Sequence, residues 1–403
     1  MKLTIERLGH LGDGIAPGPV FVPRALPGEV VEGEVAGDRM AAPRIVTPIA
    51  DRVAAPCRHY AACGGCAVQH AADAFVAAWK QDVVRQALAA QGLAGAFRSV
   101  TTSPARSRRR AALSGRRTKK GVLVGFHGRA SDSIVAVPDC LLLHPDLAAT
   151  LPGLEAIVAA GASRKGELTL LVTRSLAGPD VAVGGGKPLD AALRAELAAL
   201  AEVQGLARLT WEGETVALRA APEQAFGPAR VVPPPGAFLQ ATAEGEAALL
   251  AAVAEAVGPA RRIVDLFAGC GTFALPLAIQ AEVHAVEGDA AMLAALDRGW
   301  RGATGLKRVT TAARDLFRRP LLAEEFKGFE AVVIDPPRAG AEAQVAQLAR
   351  SGVPRIAMVS CNPVAFARDA RVLAAAGYRL DWVQVIDQFR WSSHVEIAAA
   401  LSL

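Results

Sequence analysis

The sequence predicts an α/β protein that ends in a doubly wound, Rossmann-like parallel sheet, preceded by a central α+β region and an N-terminal OB-like β-barrel. From Arg261 onward, short apolar strand-like runs alternate with helical stretches, which is typical of parallel sheets. Residues 1–50 are rich in Gly, Pro and Val, and turn signals separate their short apolar runs. Because single cores stop growing at roughly 250–300 residues, the 403-residue chain should form several domains. We predict boundaries at 1–52, 53–235 and 236–403.

The N-terminal stretch and the charge distribution limit the function classes. MKLTIERLGHLGDGIAPG has no apolar segment after a basic start, which predicts a cytoplasmic protein with no membrane partner. The chain has 44 Lys+Arg and 39 Asp+Glu, a net charge of +5. Seven of the basic residues and no acidic residue lie between Ser107 and Lys120. This segment is either a polyanion-binding patch or a solvated hairpin face.

Three of the six cysteines lie in CRHYAACGGC, at positions 57, 63 and 66. Disulfides are uncommon in the cytoplasm, so the motif indicates a zinc site or an iron–sulfur cluster. FVAAWKQDVVRQALAAQG follows, and its apolar residues at intervals of three and four predict a helix.

The first strand of the predicted parallel sheet ends in DLFAGCGTFALPLA. Gly269 and Gly271 allow a tight turn and a close approach of the backbone to a ligand. Glu287 ends the second strand 18 residues later, near the spacing of an acid that accepts ribose hydroxyls. These features predict an adenosine-containing ligand, although a nicotinamide cofactor or purely structural glycines would also fit.

A later strand ends in AVVIDPPR, where Asp335 precedes two prolines that stiffen a loop facing the ligand. This arrangement favours S-adenosylmethionine over a hydride-transfer cofactor. Asp315, after the third strand, is a candidate contact for the adenine.

Cys361 follows the apolar run RIAMVS and precedes a helix that Pro363 can begin. A lone cysteine is more often an inert buried residue. At a strand end and a helix N-terminus, however, its thiol pKa should be lowered, which would favour attack by the thiolate. Cys270, inside the glycine loop, is interpreted as a packing residue.

Several motifs occur in a specific order: DLFAGCGTFALPLA, IDPPR, SCNPVAFARD and HVE. Together they resemble the 5-methyluridine RNA methyltransferase family. IERLGHLGDGIA resembles the start of a TRAM domain, an RNA-binding barrel, while the cysteine motif and SRRRAALSG resemble the 23S ribosomal RNA branch. The resemblance implies a 4Fe–4S cluster on Cys57, Cys63, Cys66 and Cys140. Four thiolates would also suit zinc.

The resemblance further implies S-adenosylmethionine as methyl donor and RNA as partner. Cys361 would add to C6 of the uracil, and Glu396 would remove the C5 proton. The last two predicted strands, joined by a short turn, would bring these two residues to one end of the sheet. The implied cofactor contacts are Gln240, Phe267, Gly269, Gly271, Thr272, Glu287, Asp315 and Asp335.

The chain departs from the family pattern at one position and in one segment: Thr272 replaces a common Asn, and Phe389 to Ser392 replace Phe-Pro-His-Thr. The implied RNA contacts are Arg108, Arg109 and Arg110, made mostly to phosphates. We expect a monomer. Three alternatives remain at this point: a tRNA uridine-5 methyltransferase, a noncatalytic RNA-binding protein and an iron–sulfur NAD oxidoreductase.

Overall fold

The computed structural model describes residues 1–403. Its N-terminal strands hydrogen-bond as two antiparallel sheets of three strands, ordered β1-β5-β6 and β2-β3-β4, around a small apolar core. These strands are β1 Lys2–Thr4, β2 Arg7–Leu8, β3 Gly14–Ala16, β4 Val20–Val22, β5 Val30–Glu32 and β6 Arg44–Thr47. The predicted strand content is confirmed, but the predicted single barrel is not.

The middle of the chain is built on a seven-stranded sheet ordered β10-β9-β8-β11-β12-β13-β14. Helix α1, the predicted helix after the cysteine motif, leads into it and ends at Ala90. The elements are α1 Asp73–Ala90, β7 Thr101–Thr102, β8 Arg110–Thr118, β9 Gly121–His127, β10 Ile134–Ala136, α2 Pro145–Ala149, α3 Leu151–Gly161, β11 Glu167–Ser175, β12 Gly178–Gly184, α4 Ala191–Val203, β13 Arg208–Trp211 and β14 Glu214–Leu218. A two-stranded sheet, β15 Gln224–Phe226 and β16 Ala229–Val231, follows.

The C-terminal region forms an eight-stranded sheet ordered β19-β18-β17-β20-β21-β23-β22-β7. Strands β17 to β21 are parallel, and β23 is antiparallel to both of its neighbours. The elements are α5 Ala243–Val257, β17 Arg262–Leu266, α6 Ala274–Leu277, β18 Glu282–Glu287, α7 Ala290–Gly302, β19 Val309–Ala313, a 3-10 helix at Ala323–Phe326, β20 Ala331–Ile334, α8 Glu342–Leu348, β21 Arg355–Ser360, α9 Pro363–Ala375, β22 Arg379–Asp387 and β23 Ile397–Ser402.

The parallel strands lie between two apolar cores, one on each face of the sheet. Every residue of β20 is buried, because helices cover both faces of a parallel sheet. The strand order reverses between β17 and β20, and ligands of doubly wound sheets bind beyond the strand ends at such a point. The predicted doubly wound sheet is therefore confirmed.

Residues 388–396 connect β22 to β23. The predicted pairing of these strands is confirmed, but the connection is a nine-residue loop rather than the short turn expected. Its length lets it reach Lys80 of α1 and the two residues after the cysteine motif, Ala67 and Val68, which hold it by hydrogen bonds. No helix in the protein has the length and apolar character needed to cross a membrane.

Candidate active site

A cavity of about 1400 Å³ opens beyond the carboxyl ends of β17, β18, β20 and β21. Its lining combines the glycine loop and the strand ends of the C-terminal sheet with Leu11 and Arg39 from loops of the N-terminal region. Gly64 to Ala67 and Arg129 add a further wall. All three sequence regions therefore border one space, large enough for a cofactor together with part of a larger substrate.

The glycine loop after β17 has the backbone conformation that its residues suggest. Gly269 and Gly271 adopt φ of 54° and 94°, in the left-handed region. A Cβ on Gly271 would lie 2.8 Å from Cδ1 of Leu275, whereas one on Gly269 would meet no atom within 4 Å. Phe267, at φ 62°, takes the same conformation despite its side chain. The loop is thus shaped so that a ligand can approach its backbone closely.

The predicted cofactor contacts after β18 and β19 lie on this cavity. The Glu287 carboxylate accepts from the backbone N–H of Gly269 at 3.0 Å, which joins the acid to the glycine loop. Asp315 accepts from the N–H of Phe317 at 3.0 Å. The rings of Phe267 and Phe317 lie 5.5 Å apart at the cavity wall, a suitable surface for a flat base. Thr272 also lines the cavity.

Cys361 and Glu396 meet at one end of the sheet. Ser360 of β21 pairs with Ile397 of β23, so the residues just beyond this pair lie side by side, and both line the cavity. Asn362 caps α9 by accepting from the N–H of Val364 at 3.0 Å. This part of the predicted site is brought together as expected.

The expected lowering of the Cys361 thiol pKa is wrong. Burial, with the neighbouring Glu396 and Asp335 carboxyls, raises this pKa to about 11, against the opposing effect of Arg338. The helix N-terminus does not overcome burial and two acidic neighbours. The thiol of Cys361 is therefore protonated at neutral pH in the absence of a ligand.

Glu396 is 3% exposed, and Gln388 Nε2 donates to its Oε2 at 2.9 Å. Burial and the neighbouring Asp335 raise the Glu396 carboxyl pKa to about 8. Burial also raises the pKa of Asp335, to about 7. A carboxyl whose pKa lies near the working pH can accept a proton and later release it.

Gln240 lies between the cofactor side and the reacting side of the cavity. Its Nε2 is 3.5 Å from Asp335 Oδ2, and its own backbone carbonyl accepts from Arg109 Nε at 3.1 Å. Arg109 is buried and forms an ion pair with Glu246 of α5. Of the three arginines predicted to contact RNA, Arg109 is thus occupied by the protein, which corrects that expectation.

Arg108 does line the cavity, 5.8 Å from the ring centroid of Phe389. Arg110 is half-buried, with its guanidinium 5.7 Å from the ring centroid of Phe238. The four basic residues toward the β8–β9 turn are more accessible; Arg117, Lys119 and Lys120 are exposed.

Lys80 of α1 holds the start of the 388–396 loop. Its Nζ is fully buried, 2.6 Å from Asp387 Oδ1 and 3.1 Å from the Phe389 carbonyl. Higher in the loop, the Trp391 carbonyl accepts from the N–H groups of Ala67 and Val68 at 2.7 and 3.0 Å. The segment that departs from the family pattern is therefore held by α1 and by the two residues that follow the cysteine motif.

The four predicted metal-ligating cysteines line one small apolar cavity, with Cys140 reaching it from the segment after β10. Burial raises the thiol pKa of Cys66 to about 12 and also raises that of Cys63. No three Cys, His, Asp or Glu side chains converge closely enough to hold a metal ion. The predicted grouping is present, but a metal site is not confirmed. Cys270 lies in the apolar core, in keeping with a packing role.

Sequence reasoning missed several residues of this site, among them Lys80, Asp387, Gln388 and Asp265. Asp265 of β17 is fully buried, neither carboxyl oxygen has a partner, and burial beside Asp335 raises its pKa well above the usual value. For Asp265, the available signal was a charged residue inside an apolar strand. Lys80 gave no such signal, because it occupies a helical position where lysine is common.

Known proteins resemble this chain over its whole length. An uncharacterized RNA methyltransferase of Rhizobium meliloti is 45% identical, over 99% of this chain and 98% of the relative. The 23S rRNA (uracil(1939)-C(5))-methyltransferase RlmD of Halomonas elongata is 36% identical, over 98% of this chain and 88% of the relative. Residues 303–402 match the family described as tRNA (Uracil-5-)-methyltransferase. The chain belongs to the S-adenosylmethionine-dependent RNA (uracil-C5)-methyltransferase family.

This RNA methyltransferase also shares its fold with a solved relative. The crystal structure of Pyrococcus abyssi tRNA (uracil-54, C5)-methyltransferase in complex with S-adenosyl-L-homocysteine superposes with a TM-score of 0.75. The match covers 100% of this chain and 99% of the other at 21% identity. It therefore extends the agreement in fold to the N-terminal and central regions.

Proposed function

We propose that this methyltransferase modifies C5 of a uridine in 23S ribosomal RNA through a transient covalent bond between Cys361 and C6 of the base. The observation that carries this proposal is the pairing of Ser360 with Ile397, which sets Cys361 beside Glu396 on the cavity that the glycine loop also lines. A nucleophile and a base on one cavity are the two groups that this reaction needs.

The chemistry assigns one task to each residue. The Cys361 thiolate adds to C6, and the ring electrons move toward O4, so that C5 becomes nucleophilic. C5 takes the methyl group from the sulfonium of S-adenosylmethionine. Glu396, as carboxylate, then removes the C5 proton, and elimination of the thiolate restores the double bond. Glu396→Gln should therefore accumulate the methylated adduct, because methyl transfer precedes proton removal.

The thiol of Cys361 needs help to ionise, because its pKa is raised to about 11. The bound sulfonium carries a positive charge, and an opposite charge within about 4–6 Å favours thiolate. Arg338, which already acts in this direction, also lines the cavity. Cofactor binding would thus activate the nucleophile only when a methyl donor is present.

We assign the cofactor to the side of the cavity formed by the glycine loop. Gly269 leaves open space there, which a Cβ would otherwise occupy, and acidic side chains stand at the ends of β18 and after β19. Glu287 would bind the ribose, Asp315 and Phe317 the adenine, and Gln240, Thr272 and Asp335 the methionine portion. Phe267 and Gly271 shape the loop.

We also propose that Cys57, Cys63, Cys66 and Cys140 hold a 4Fe–4S cluster. Four thiols around one apolar cavity fit such a group, and the N–H of Gly65 lies 3.4 Å from Cys63 Sγ, as a donor to a ligating sulfur would. Four thiolates would also suit a tetrahedral zinc ion, so the identity of the bound metal decides between the two. Iron content and visible absorbance of protein purified without oxygen would test this assignment.

For RNA, we infer that the TRAM-like residues 1–52 and the central residues 53–235 form the walls of a substrate cleft. This cleft lies in front of the methyltransferase region, residues 236–403. Arg39, Arg108 and Arg129 line this cleft and would contact phosphates. The target uridine must leave its stack to reach Cys361. We propose a cytoplasmic monomer.

Ribosomal RNA is preferred over tRNA because the relative named as a 23S rRNA enzyme is 36% identical over nearly the whole chain, whereas the solved tRNA enzyme is 21% identical. The test uses labelled S-adenosylmethionine with total RNA from a strain that lacks the gene. Label should appear as 5-methyluridine in 23S rRNA. Label confined to tRNA would replace the proposed substrate, and no label in any RNA would refute the activity.

A further inference from the structure

A buried amide lies between the proposed base and the cofactor side of the cavity. Gln388, the first residue after β22, is 2% exposed. Its Nε2 donates to Glu396 Oε2 at 2.9 Å and to Gln240 Oε1 at 2.6 Å. Its Oε1 accepts from the backbone N–H of Ala241 at 2.8 Å. Both N–H groups of this amide and one of the two lone pairs of its oxygen are thus used.

The orientation of Gln388 follows from its partners. A backbone N–H can only donate, so the carbonyl oxygen of the amide must face Ala241. The two N–H bonds then point at Glu396 and at Gln240. Because Gln240 Oε1 accepts, the amide nitrogen of Gln240 faces Asp335 Oδ2, 3.5 Å away. One amide therefore sets the orientation of two neighbouring side chains.

Helix α5 packs closely against Gln388 at a glycine. A Cβ on Gly245 of α5 would lie 2.6 Å from the Cβ of Gln388, closer than real carbon atoms approach. Thr242, which caps α5 by accepting from the Gly245 N–H at 2.9 Å, fixes that turn of the helix. Packing thus holds Gln388 in place from the side opposite the cavity.

We propose that Gln388 is a positioning residue for the methyl-transfer reaction, which orients the Glu396 carboxylate for proton removal and fixes Gln240 toward the cofactor. This inference rests on the proposed function, because it takes Glu396 to be the base. Gln388 acts through its two neighbours and does not itself line the cavity.

The hydrogen bond also affects the charge of the base. An N–H that donates to a carboxylate stabilises its ionised form, so Gln388 lowers the Glu396 pKa, while burial and Asp335 raise it to about 8 overall. The other titratable groups nearby are Cys361 after β21, Arg338 and His394 on the cavity, the Lys80–Asp387 pair and the Arg109–Glu246 pair. None of these donates a hydrogen bond to Glu396, so the loss of Gln388 would leave the carboxylate without a donor.

The test measures decay of the methylated adduct in single-turnover reactions with substrate RNA across pH. In the wild type, decay should accelerate as pH rises through about 8, as Glu396 ionises. Gln388→Leu should slow decay at neutral pH by about 10- to 100-fold and move the rise to higher pH, so that alkaline conditions partly rescue the variant. Binding of S-adenosyl-L-homocysteine should also weaken, because Gln240 loses its fixed orientation.

Gln344→Leu is the matched control. Gln344 is equally buried, its amide bonds the backbone of Leu321, and neither residue lines the cavity. The Gln344→Leu variant should have lower thermal stability than the wild type, but its adduct decay should depend on pH as in the wild type. A Gln388→Leu variant whose decay profile matches the wild type, or that slows equally at every pH, would overturn the positioning role. Absence of any adduct in the wild type would instead refute the proposed function.

Discussion

The carboxyl group of Glu396 is almost completely buried where β21 ends and β23 begins. This burial lowers the free energy of unfolding when the carboxyl group must ionise. Its pKa is about 8 in the folded protein against 4.5 for an exposed glutamate. As pH rises through this window, the unfolded chain loses its proton while the folded chain keeps it. Stability contributed by the protonated carboxyl is thus lost progressively from about pH 4.5 to about pH 8.

We predict that Glu396→Gln is more stable than the wild type at pH 8, by about 1 kcal/mol or more, and that the difference disappears near pH 4. The amide cannot ionise, so the cost of burying a carboxylate is removed. Chemical denaturation at the two pH values measures the effect. Glu282→Gln, at an exposed strand position, should change little. A variant less stable than the wild type at pH 8 would contradict the raised pKa.

The residues that the sequence could predict are those whose neighbours in sequence define their role. Cys361 and Asp335 end apolar runs, and Gly269 stands in a recognisable loop. Gln388, Lys80 and Asp265 have no such local context. Lys80 and its partner Asp387 are 307 residues apart, so only the folded chain reveals that the lysine is buried. The thiol pKa of Cys361 was mispredicted for the same reason, because its acidic neighbours come from other strands.

At the scale of elements, Lys80 joins helix α1 to the start of the 388–396 loop through a buried ion pair and a hydrogen bond. Removing one partner of a buried ion pair lowers the free energy of unfolding far more than removing both partners, because removal of one partner leaves an uncompensated charge in the interior. Lys80 and Asp387 are both almost completely buried. The pair therefore determines where the loop that contains Gln388 and leads into Glu396 can lie.

Lys80→Met should destabilise the protein by about 3 kcal/mol and increase amide hydrogen exchange in residues 388–396. Adding Asp387→Asn should recover much of that loss, because the unpaired carboxylate is gone while Asn can still accept from the N–H of Phe389. Urea titration of the wild type, both single variants and the double variant gives the pair energy. Additive losses would show that the two side chains do not depend on each other.

Element type was predictable where burial is uniform. The apolar runs of β17, β20 and β21 are strands covered on both faces, and α1 has a regular helical period. The long β22–β23 loop and the two separate N-terminal sheets were not predicted. Their form depends on contacts with distant segments, such as the bonds from Ala67 and Val68 to Trp391.

At the scale of the whole molecule, Asp13 joins the N-terminal strands to the central region. It forms ion pairs with Arg39, from its own region, and with Arg129, from the loop after β9. All three residues line the substrate cavity. The acid therefore fixes two basic side chains in the proposed RNA cleft.

Asp13→Ala should weaken RNA binding by about 5-fold although it adds net positive charge, because the two arginines would lose the hydrogen bonds that hold them in the cleft. Asp38→Ala removes the same charge from an exposed position nearby and should leave binding unchanged or slightly tighter. Fluorescence anisotropy at fixed salt compares the variants. Tighter binding by Asp13→Ala would mean that charge alone governs this surface.

The covalent role of Cys361 is most directly tested with RNA that carries 5-fluorouridine at the target position. Fluorine cannot leave C5 as a proton does, so the methylated adduct should persist after incubation with S-adenosylmethionine. Intact-mass and peptide mass spectrometry should then find the nucleotide on Cys361, and Cys361→Ala should form no adduct. An undiminished adduct in that variant, or a bond at another residue, would contradict the account.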